Sequence, residues 1–423
     1  MSSLKDQMEI APTLPLVQSR NYETILFFIT SIGSTLAWTA VLSNLVFYTK
    51  HLGESSFIYL NLAVYIPLIP ISLAQARWDS TFDQKYESLT SFNFRGTFSY
   101  LVSIGAIWLI PAASNNLPVL SFLTLILGTT SAVLQGAMRQ MASFVYPGSG
   151  ILQASVSSGI QASAVAVLAV ALWTGFGNDG SSKGLLSFNY SILGITICCW
   201  ITFYMLMTRS NDVMTSMQRR DMSMRLQIEH ESLRLEKENL IEDQKDIGAL
   251  FVDLDYYTIW KRSWMHCVSL TVTLISSMFV CSYFNRVPSA DPNDIAFPQL
   301  LFYSKMIPDL FGRPATIYLK PKSQILVLVF SIVRCLCVPV FLLYCYTDII
   351  PRNNIGLAIT IMIFSFFSGY IVTAVHQQAP DALNAEEKGN VLKQANLLNI
   401  CFSVSILIGL LLGLLMEFLD RDL

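Results

Sequence analysis

Two charged side chains, Asp309 and Arg313, interrupt an apolar run at residues 297–319. If this run is a helix across a bilayer, the two residues lie four positions apart on one face and can form an ion pair. A charged side chain inside a membrane costs roughly 3 kcal/mol or more, so such residues usually face the interior of a helix bundle or a water-filled pathway. The pair is therefore the first candidate for a substrate or ion site.

Two prolines and a glycine surround the pair. Pro308 and Pro314 each lack the backbone N–H that a helix needs, and Gly312 lies between them. This spacing predicts a broken helix whose freed backbone groups face a cavity, an arrangement found in many transporters. We assign these three residues a structural or gating role beside the ion pair.

Polar and aromatic side chains in other apolar runs add further candidates. The carboxamide of Gln135, which Gly136 follows, offers a donor and an acceptor to the edge of a heterocycle or to a closely packed helix. Both interpretations stay open on spacing alone, whereas for Gln161 we favour helix packing. Trp38 lies about halfway along its run, too deep for the aromatic belt at a membrane surface. Its indole either stacks on a flat ligand or packs between helices.

Arg334 and His376 are the remaining ionisable candidates. Arg334 shares its run with no carboxylate, so its guanidinium must contact another helix, a backbone carbonyl or lipid headgroups. We favour a structural clamp or gate. His376 ends the tenth run, where a surface histidine is more common than a proton site.

The composition indicates an integral membrane protein. Hydrophobic residues make up 53% of the chain and charged residues 13%, against about 25% charged in ordinary globular proteins. A net charge of -2 without a basic face argues against nucleic-acid binding. The eight cysteines lack the spacing and histidine companions of a metal site, so we expect neither a bound metal nor disulfides. Phosphate-loop and hydrolase motifs are missing, so we expect a carrier of a small polar solute without a cofactor, and not an enzyme.

Eleven runs are long enough to cross a lipid bilayer, and they predict an all-α integral membrane fold. Their approximate ranges are 25–48, 57–76, 94–111, 117–141, 150–173, 186–208, 263–284, 297–319, 324–346, 355–375 and 395–418. The distribution of Lys and Arg favours a cytoplasmic N-terminus and a C-terminus on the opposite side.

A long polar loop separates the first six runs from the last five. The predicted domains are a cytoplasmic tail (1–24), a six-helix bundle (25–208), a cytoplasmic loop (209–262), a five-helix bundle (263–418) and an extracytoplasmic tail (419–423). The loop mixes apolar and charged residues, which fits either an amphipathic helix at the membrane surface or a disordered linker. It shows no recognition motif for a cytoplasmic partner. Two bundles joined by a connector are typical of transporters that rock about a central site.

Several motifs resemble those of equilibrative nucleoside transporters. The most specific are Asp309-x-x-Gly312-Arg313-x-x-Thr316 and Arg334-x-x-x-x-Pro339, which resemble the eighth and ninth spans of that family. Similar stretches surround Gln135 and Trp38, so the resemblance covers nearly the whole chain. It implies a major-facilitator-like arrangement of six plus five helices around a central cavity, working by alternating access. The chain departs from the family's patterns at Ala37, Thr39 and Arg139.

The resemblance also implies roles for individual residues. Asp309 and Arg313 would engage the ribose, Gln135 the nucleobase, and Trp38 would help to wall the cavity. The expected function is facilitative transport of nucleosides, with nucleobases as a second substrate class, and the expected location is the plasma membrane. One alternative is a proton-coupled or organic-cation transporter of the same family. The other is a receptor or scaffold that acts through the loop at 209–262.

Overall fold

The structure is a computed structural model that describes residues 17–53, 56–145, 150–176, 182–238, 254–290, 297–347, 349–384, 387 and 390–421. Throughout these residues the regular elements are helices, which confirms the predicted all-α fold. Most of the predicted N-terminal tail, residues 239–253 of the loop and the last two residues of the chain lie outside the described residues.

The described residues form fifteen α-helices and two short 3-10 helices. In chain order the α-helices are α1 (Val17–Ser43), α2 (Leu45–Leu52), α3 (Ser56–Tyr65), α4 (Leu68–Tyr86), α5 (Ser88–Ala113), α6 (Leu117–Val145), α7 (Ile151–Thr174), α8 (Leu185–Arg209), α9 (Asn211–Glu238), α10 (Tyr256–Ser282), α11 (Phe297–Tyr318), α12 (Gln324–Cys335), α13 (Cys337–Tyr346), α14 (Asn354–Gln378) and α15 (Val391–Arg421). The 3-10 helices are Phe284–Arg286 and Ala379–Ala382.

Each predicted run coincides with one of these helices or with a consecutive pair. Ten segments of the described chain are long and apolar enough to cross a membrane, so the molecule is a multi-pass membrane protein. The eighth predicted run forms α11, which is not among these ten segments because it carries three charged residues, Lys305, Asp309 and Arg313. The third run is longer than predicted, since α5 covers Ser88–Ala113.

Three of the predicted runs are split into two helices each. The second run is split at Pro67, whose missing N–H removes one backbone hydrogen bond. The first is split at Asn44, whose side-chain amide donates to the Ala40 carbonyl oxygen at 2.6 Å and competes with the helical bond. The ninth is split at Leu336. A local change of direction leaves hydropathy unchanged, so the apolar pattern did not reveal these splits.

The helix α11 is continuous, and the predicted break at Pro308 and Pro314 is wrong. Each proline removes a single backbone hydrogen bond, while close packing against α14 holds the remaining bonds in place. The packing depends on Gly312, because a Cβ atom there would lie only 2.0 Å from the carbonyl oxygen of Phe366. Gly312 therefore allows two helices to approach closely and does not interrupt one of them.

The central helices come from both sides of the long loop. Helix α11 packs against α14 and also against α7, and α6 packs against α1, α4 and α15. Outside this centre, α1 packs against α8, and α10 packs against α15. Polar side chains on α6, α7, α11, α14 and α15 can therefore meet in the middle of the molecule.

The predicted loop begins with α9, which is attached to the first six membrane helices. Val213 and Met217 are fully buried. Arg220 forms an ion pair with Asp83 at 2.7 Å. These contacts fix the first turns of the loop against the ends of α4 and α6.

Candidate substrate site

Asp309 and Arg313 form an ion pair on one face of α11. The Arg313 Nε and Nη2 atoms donate to Oδ2 of Asp309 at 3.0 and 2.8 Å. Each residue is only 7% exposed. Both bonds use the same oxygen, so Oδ1 of Asp309 accepts no hydrogen bond from the described residues. This oxygen can accept a hydrogen bond from a ligand.

Arg313 also contacts α7, on the other side of the long loop in sequence. Its Nη1 donates to the carbonyl oxygen of Ser157 at 2.5 Å, and its Nη2 donates to Oε1 of Gln161 at 3.2 Å. The ion pair therefore connects residues 25–208 with residues 263–418. The sequence favours helix packing for Gln161, and its amide does bond across to α11: Nε2 donates to the Met306 carbonyl oxygen at 3.3 Å, and Oε1 accepts from Arg313. In the sequence, its position two residues after Gly159 was the only feature that pointed to a close helix contact at Gln161.

Gln135 and Trp38 meet at Ser131 of α6. Gln135 Nε2 and Trp38 Nε1 both donate to Ser131 Oγ, at 2.8 and 3.0 Å. Gln135 borders a cavity of about 20 Å³, which has room for about one water molecule. Among the described residues no hydrogen bond joins this group to the ion pair. The predicted site residues thus form two groups, one at α6 and one at α11.

Arg139 lies one turn after Gln135 and borders the same cavity. It is 2% exposed. Its Nη1 donates to His376 Nε2 at 2.8 Å and to Asn399 Oδ1 at 3.3 Å, and its guanidinium lies 4.5 Å from the centre of the Phe402 ring. The sequence marks Arg139 only as a departure from a family pattern. Its partner His376 is 237 positions away, so no local spacing could reveal the contact.

His376 is buried between helices and not at the surface, where the sequence favours placing it. Its Nδ1 lies 2.8 Å from the Val372 carbonyl oxygen. A carbonyl only accepts, so Nδ1 carries the proton, and Nε2 is then the lone pair that accepts from Arg139. The imidazole in this arrangement is neutral, and it orients the guanidinium without cancelling its charge.

Arg334 contacts oxygen atoms of two other helices. Its guanidinium donates to the carbonyl oxygens of Phe364 and Thr273 at 2.7 and 2.9 Å. It also donates to the hydroxyls of Ser276 and Ser277 at 2.8 and 2.6 Å. The positive charge of Arg334 is thus stabilised by carbonyl and hydroxyl dipoles. These hydrogen bonds also hold α12 against α10 and α14.

A charged network lies at the end of the molecule where α4 meets α5. Arg95 contacts Asp79 at 2.5 Å and Asp83 at 3.0 Å, and Asp83 also binds Arg220. The side chain of Asp83 is fully buried. This carboxylate therefore holds two arginines from different helices.

Further hydrogen bonds join residues 25–208 to residues 263–418 at the same end. Gln140 Nε2 of α6 donates to Asn396 Oδ1 of α15 at 2.9 Å. Gln377 Nε2 of α14 donates to the Gly150 carbonyl oxygen at 3.2 Å. Like the contacts of Arg139, these bonds join the two parts of the chain at this end of the molecule.

A larger cavity of about 260 Å³ lies between α10, α13 and α14. Its lining is mainly apolar, for example Val280, Phe341 and Leu357, and it includes none of the predicted site residues. We place the candidate site at the polar groups of α6, α7 and α11 because recognition of a polar solute needs donors and acceptors.

The chain has the fold of major-facilitator transporters. A similar solved structure is that of the major-facilitator proton:xylose symporter XylE bound to 6-bromo-6-deoxy-D-glucose. The alignment covers 96% of this chain and 90% of that chain, with a TM-score of 0.51 and 12% sequence identity. At this identity the likeness concerns the fold alone. No protein-family model matches the chain, and no curated protein matches it.

Proposed function

We propose that this protein is a facilitative carrier that moves nucleosides across a membrane by alternating access, with nucleobases as a second substrate class. The observation that carries the proposal is the buried ion pair of Asp309 and Arg313, which lies where α11 meets α7 in a major-facilitator fold. Ionisable residues at membrane depth mark a substrate or ion site by default, and transporter sites lie where the two halves of the fold meet. The residues resemble the ribose-binding motif of equilibrative nucleoside transporters.

The chemistry of the ion pair suits a ribose. The unoccupied Oδ1 of Asp309 can accept from vicinal 2′ and 3′ hydroxyls, and Arg313 can donate to ribose oxygens. The carboxamide of Gln135 supplies a donor and an acceptor for the edge of a base. The structure of XylE contains a deoxyglucose derivative, whose hydroxyls present similar hydrogen-bonding groups.

The contacts of Arg313 provide a link between binding and movement. The hydrogen bonds from Arg313 to Ser157 and Gln161 hold α11 against α7. A ribose that takes over these donors would loosen that contact and favour opening of one side. A substrate changes the populations of two states only through such a difference in contacts.

The proposed cycle runs between two bundles, residues 25–208 and 263–418, with the N-terminus in the cytoplasm and the plasma membrane as the site of action. The solute enters an outward-open cavity and is held between Gln135 and the ion pair. The site then closes, and the solute leaves to the other side. The cavity of about 20 Å³ at Gln135 must widen for this, since small-molecule sites usually measure about 300 Å³ or more.

Proton coupling is the second candidate. Both ring nitrogens of His266 in α10 are buried without a hydrogen-bond partner among the described residues. A buried imidazole that can gain a proton is a suitable coupling group. Strong acceleration of uptake at the lower of two pH values would favour this candidate over the facilitative one.

The test is uptake of radiolabelled adenosine and uridine into proteoliposomes at two pH values, for the native protein and for Asp309→Asn. A hydrogen bond to a charged group contributes about 1.5–3 kcal/mol, so we expect the variant to lower uptake at low substrate concentration by about 10-fold or more. Asparagine keeps one acceptor for Arg313 but removes its counterion, so the amount of folded variant is measured beside the uptake.

The matched control is 2′,3′-dideoxyadenosine, which lacks both hydroxyls. Its uptake should be weak and nearly the same in the two proteins. If Asp309→Asn lowers uptake of adenosine and of 2′,3′-dideoxyadenosine by the same factor, and the amount of folded protein falls as well, Asp309 has a structural role only. Absence of uptake of adenosine, uridine and inosine alike by folded native protein would refute the proposed function.

A further inference from the structure

Arg139 is a buried cation, and the described residues place no counterion against it. It is 2% exposed, and within the described residues its hydrogen-bond partners are the neutral groups His376 and Asn399. Its aromatic neighbour Phe402 is also uncharged. A buried charge usually has a paired carboxylate or a full set of hydrogen bonds. Arg139 has neither.

Two donors of Arg139 have no acceptor among the described residues. Its Nε and Nη2 atoms are fully buried and make no hydrogen bond within the described part of the chain. These two N–H groups lie side by side on one edge of the planar guanidinium and point in the same direction. They form a fork that matches two acceptor atoms side by side. We refer to these two donors as the Arg139 fork.

Arg139 lies beside Gln135, the residue proposed to contact the base. Gln135 and Arg139 are four positions apart on α6, which places them on the same face, and both border the same cavity. The other polar residues along this cavity are uncharged: Ser72, Gln75, Asn399 and Ser403. These surroundings supply no second cation for a phosphate, and they suit a neutral ligand with a polar edge.

We propose that the Arg139 fork recognises the O6 and N7 acceptors of a 6-oxopurine, so that the preferred substrates are nucleosides or bases such as inosine, guanosine and hypoxanthine. A bidentate contact from arginine to O6 and N7 is the commonest specific contact of this side chain with a purine. Adenine has an amino donor in place of the O6 acceptor, and this donor would face one of the two N–H donors of the Arg139 fork. The inference rests on the proposed function and names the substrate class of that site.

Opening of the carrier would make the Arg139 fork accessible. The hydrogen bonds from Arg139 to α14 and α15 join the two halves, and the cavity of about 20 Å³ cannot hold a purine in this state. Separation of α6 from α14 and α15 widens the space beside Gln135 and Arg139. The ligand then enters between the carboxamide and the guanidinium.

The experiment measures competition by unlabelled nucleosides for uptake of radiolabelled inosine into proteoliposomes. We expect inosine and guanosine to compete at least about 10-fold better than adenosine, within the range for one bidentate base contact. Arg139→Gln should abolish or reverse this ratio, since glutamine pairs with the adenine edge. Arg139→Lys keeps the charge but lacks the fork and should lose most of the preference. The control is Arg77→Gln, the same change at an exposed arginine of α4, which should leave the ratio unchanged.

A second measurement does not depend on folding of the variants. In the native protein, 7-deazainosine lacks the N7 acceptor and should compete about 10-fold more weakly than inosine. Inorganic phosphate and acetate, which also present paired acceptors, should not compete.

Three results would overturn the inference: equal competition by adenosine and inosine, an unchanged preference in folded Arg139→Lys, or strong competition by phosphate or acetate. In the first case the protein still carries nucleosides, and the Arg139 fork has no role in recognition of the base. If the native protein takes up neither adenosine nor inosine, the proposed function itself fails.

Discussion

Gly312 lies where α11 approaches α14, and its replacement by alanine has an effect that can be worked out from the structure. The added Cβ would lie 2.0 Å from the carbonyl oxygen of Phe366, whereas an ordinary contact begins at 3.4 Å. The two helices must therefore separate locally by about 1.4 Å, the difference between these distances. The obstructing atom belongs to the backbone, so a change of side-chain rotamer cannot relieve the clash.

Overpacking of this kind costs about 1–3 kcal/mol, and the higher helix propensity of alanine returns up to about 1 kcal/mol. We expect Gly312→Ala to lower the free energy of unfolding by about 1–2 kcal/mol. Thermal unfolding of the purified protein in detergent measures this as a lower midpoint. Under the proposed function, nucleoside uptake should fall as well, because the ion pair of Asp309 and Arg313 moves with α11.

The matched control is Gly105→Ala in α5, where an added Cβ meets no atom within 4 Å. This change should leave the midpoint the same or raise it slightly. Gly369→Ala in α14 tests the contact from the other helix, since the added Cβ would lie 2.0 Å from the Asp309 carbonyl oxygen. The double variant with Gly312→Ala should lose less stability than the sum of the single losses, because the first substitution already separates the helices. An unchanged midpoint for Gly312→Ala beside a normal control would refute the close helix contact.

Two further predictions concern buried arginine contacts. Arg334→Lys should lower the free energy of unfolding by about 2 kcal/mol. One ammonium cannot reach the oxygens of both α10 and α14 that the guanidinium binds, and a lost hydrogen bond to a charged group costs about 1.5–3 kcal/mol. A variant that unfolds at the native midpoint would contradict this prediction. Asp83→Asn should weaken the attachment of α9 to α4, because it removes the carboxylate that pairs with Arg95 and Arg220. Breaking a buried ion pair costs about 3–5 kcal/mol. The measurement is the rate at which a thiol reagent labels Met217→Cys, which should rise in the Asp83→Asn background and stay low in the native one.

Much of the fold was predictable because its causes are local. The length and hydropathy of each run decide whether it can cross a bilayer, so the helical segments and their approximate ends follow from composition. The pairing of Asp309 with Arg313 follows from helix geometry at a spacing of four. The break at Pro308 was predicted wrongly because a proline acts within the packing of its neighbours, and α14 supports α11 at this point.

The sequence by itself determined an all-α membrane protein with a charged pair on one helix face, since hydropathy and the helical repeat depend only on residues close in the chain. Only the tertiary structure decided that Arg313 also binds α7, that Arg139 meets His376 and that two donors of Arg139 find no acceptor in the described part of the chain. These contacts depend on which helices become neighbours and at what depth they cross. Many helix arrangements bury the same apolar surface, so long-range packing, and not local pattern, selects the partners of each buried polar group.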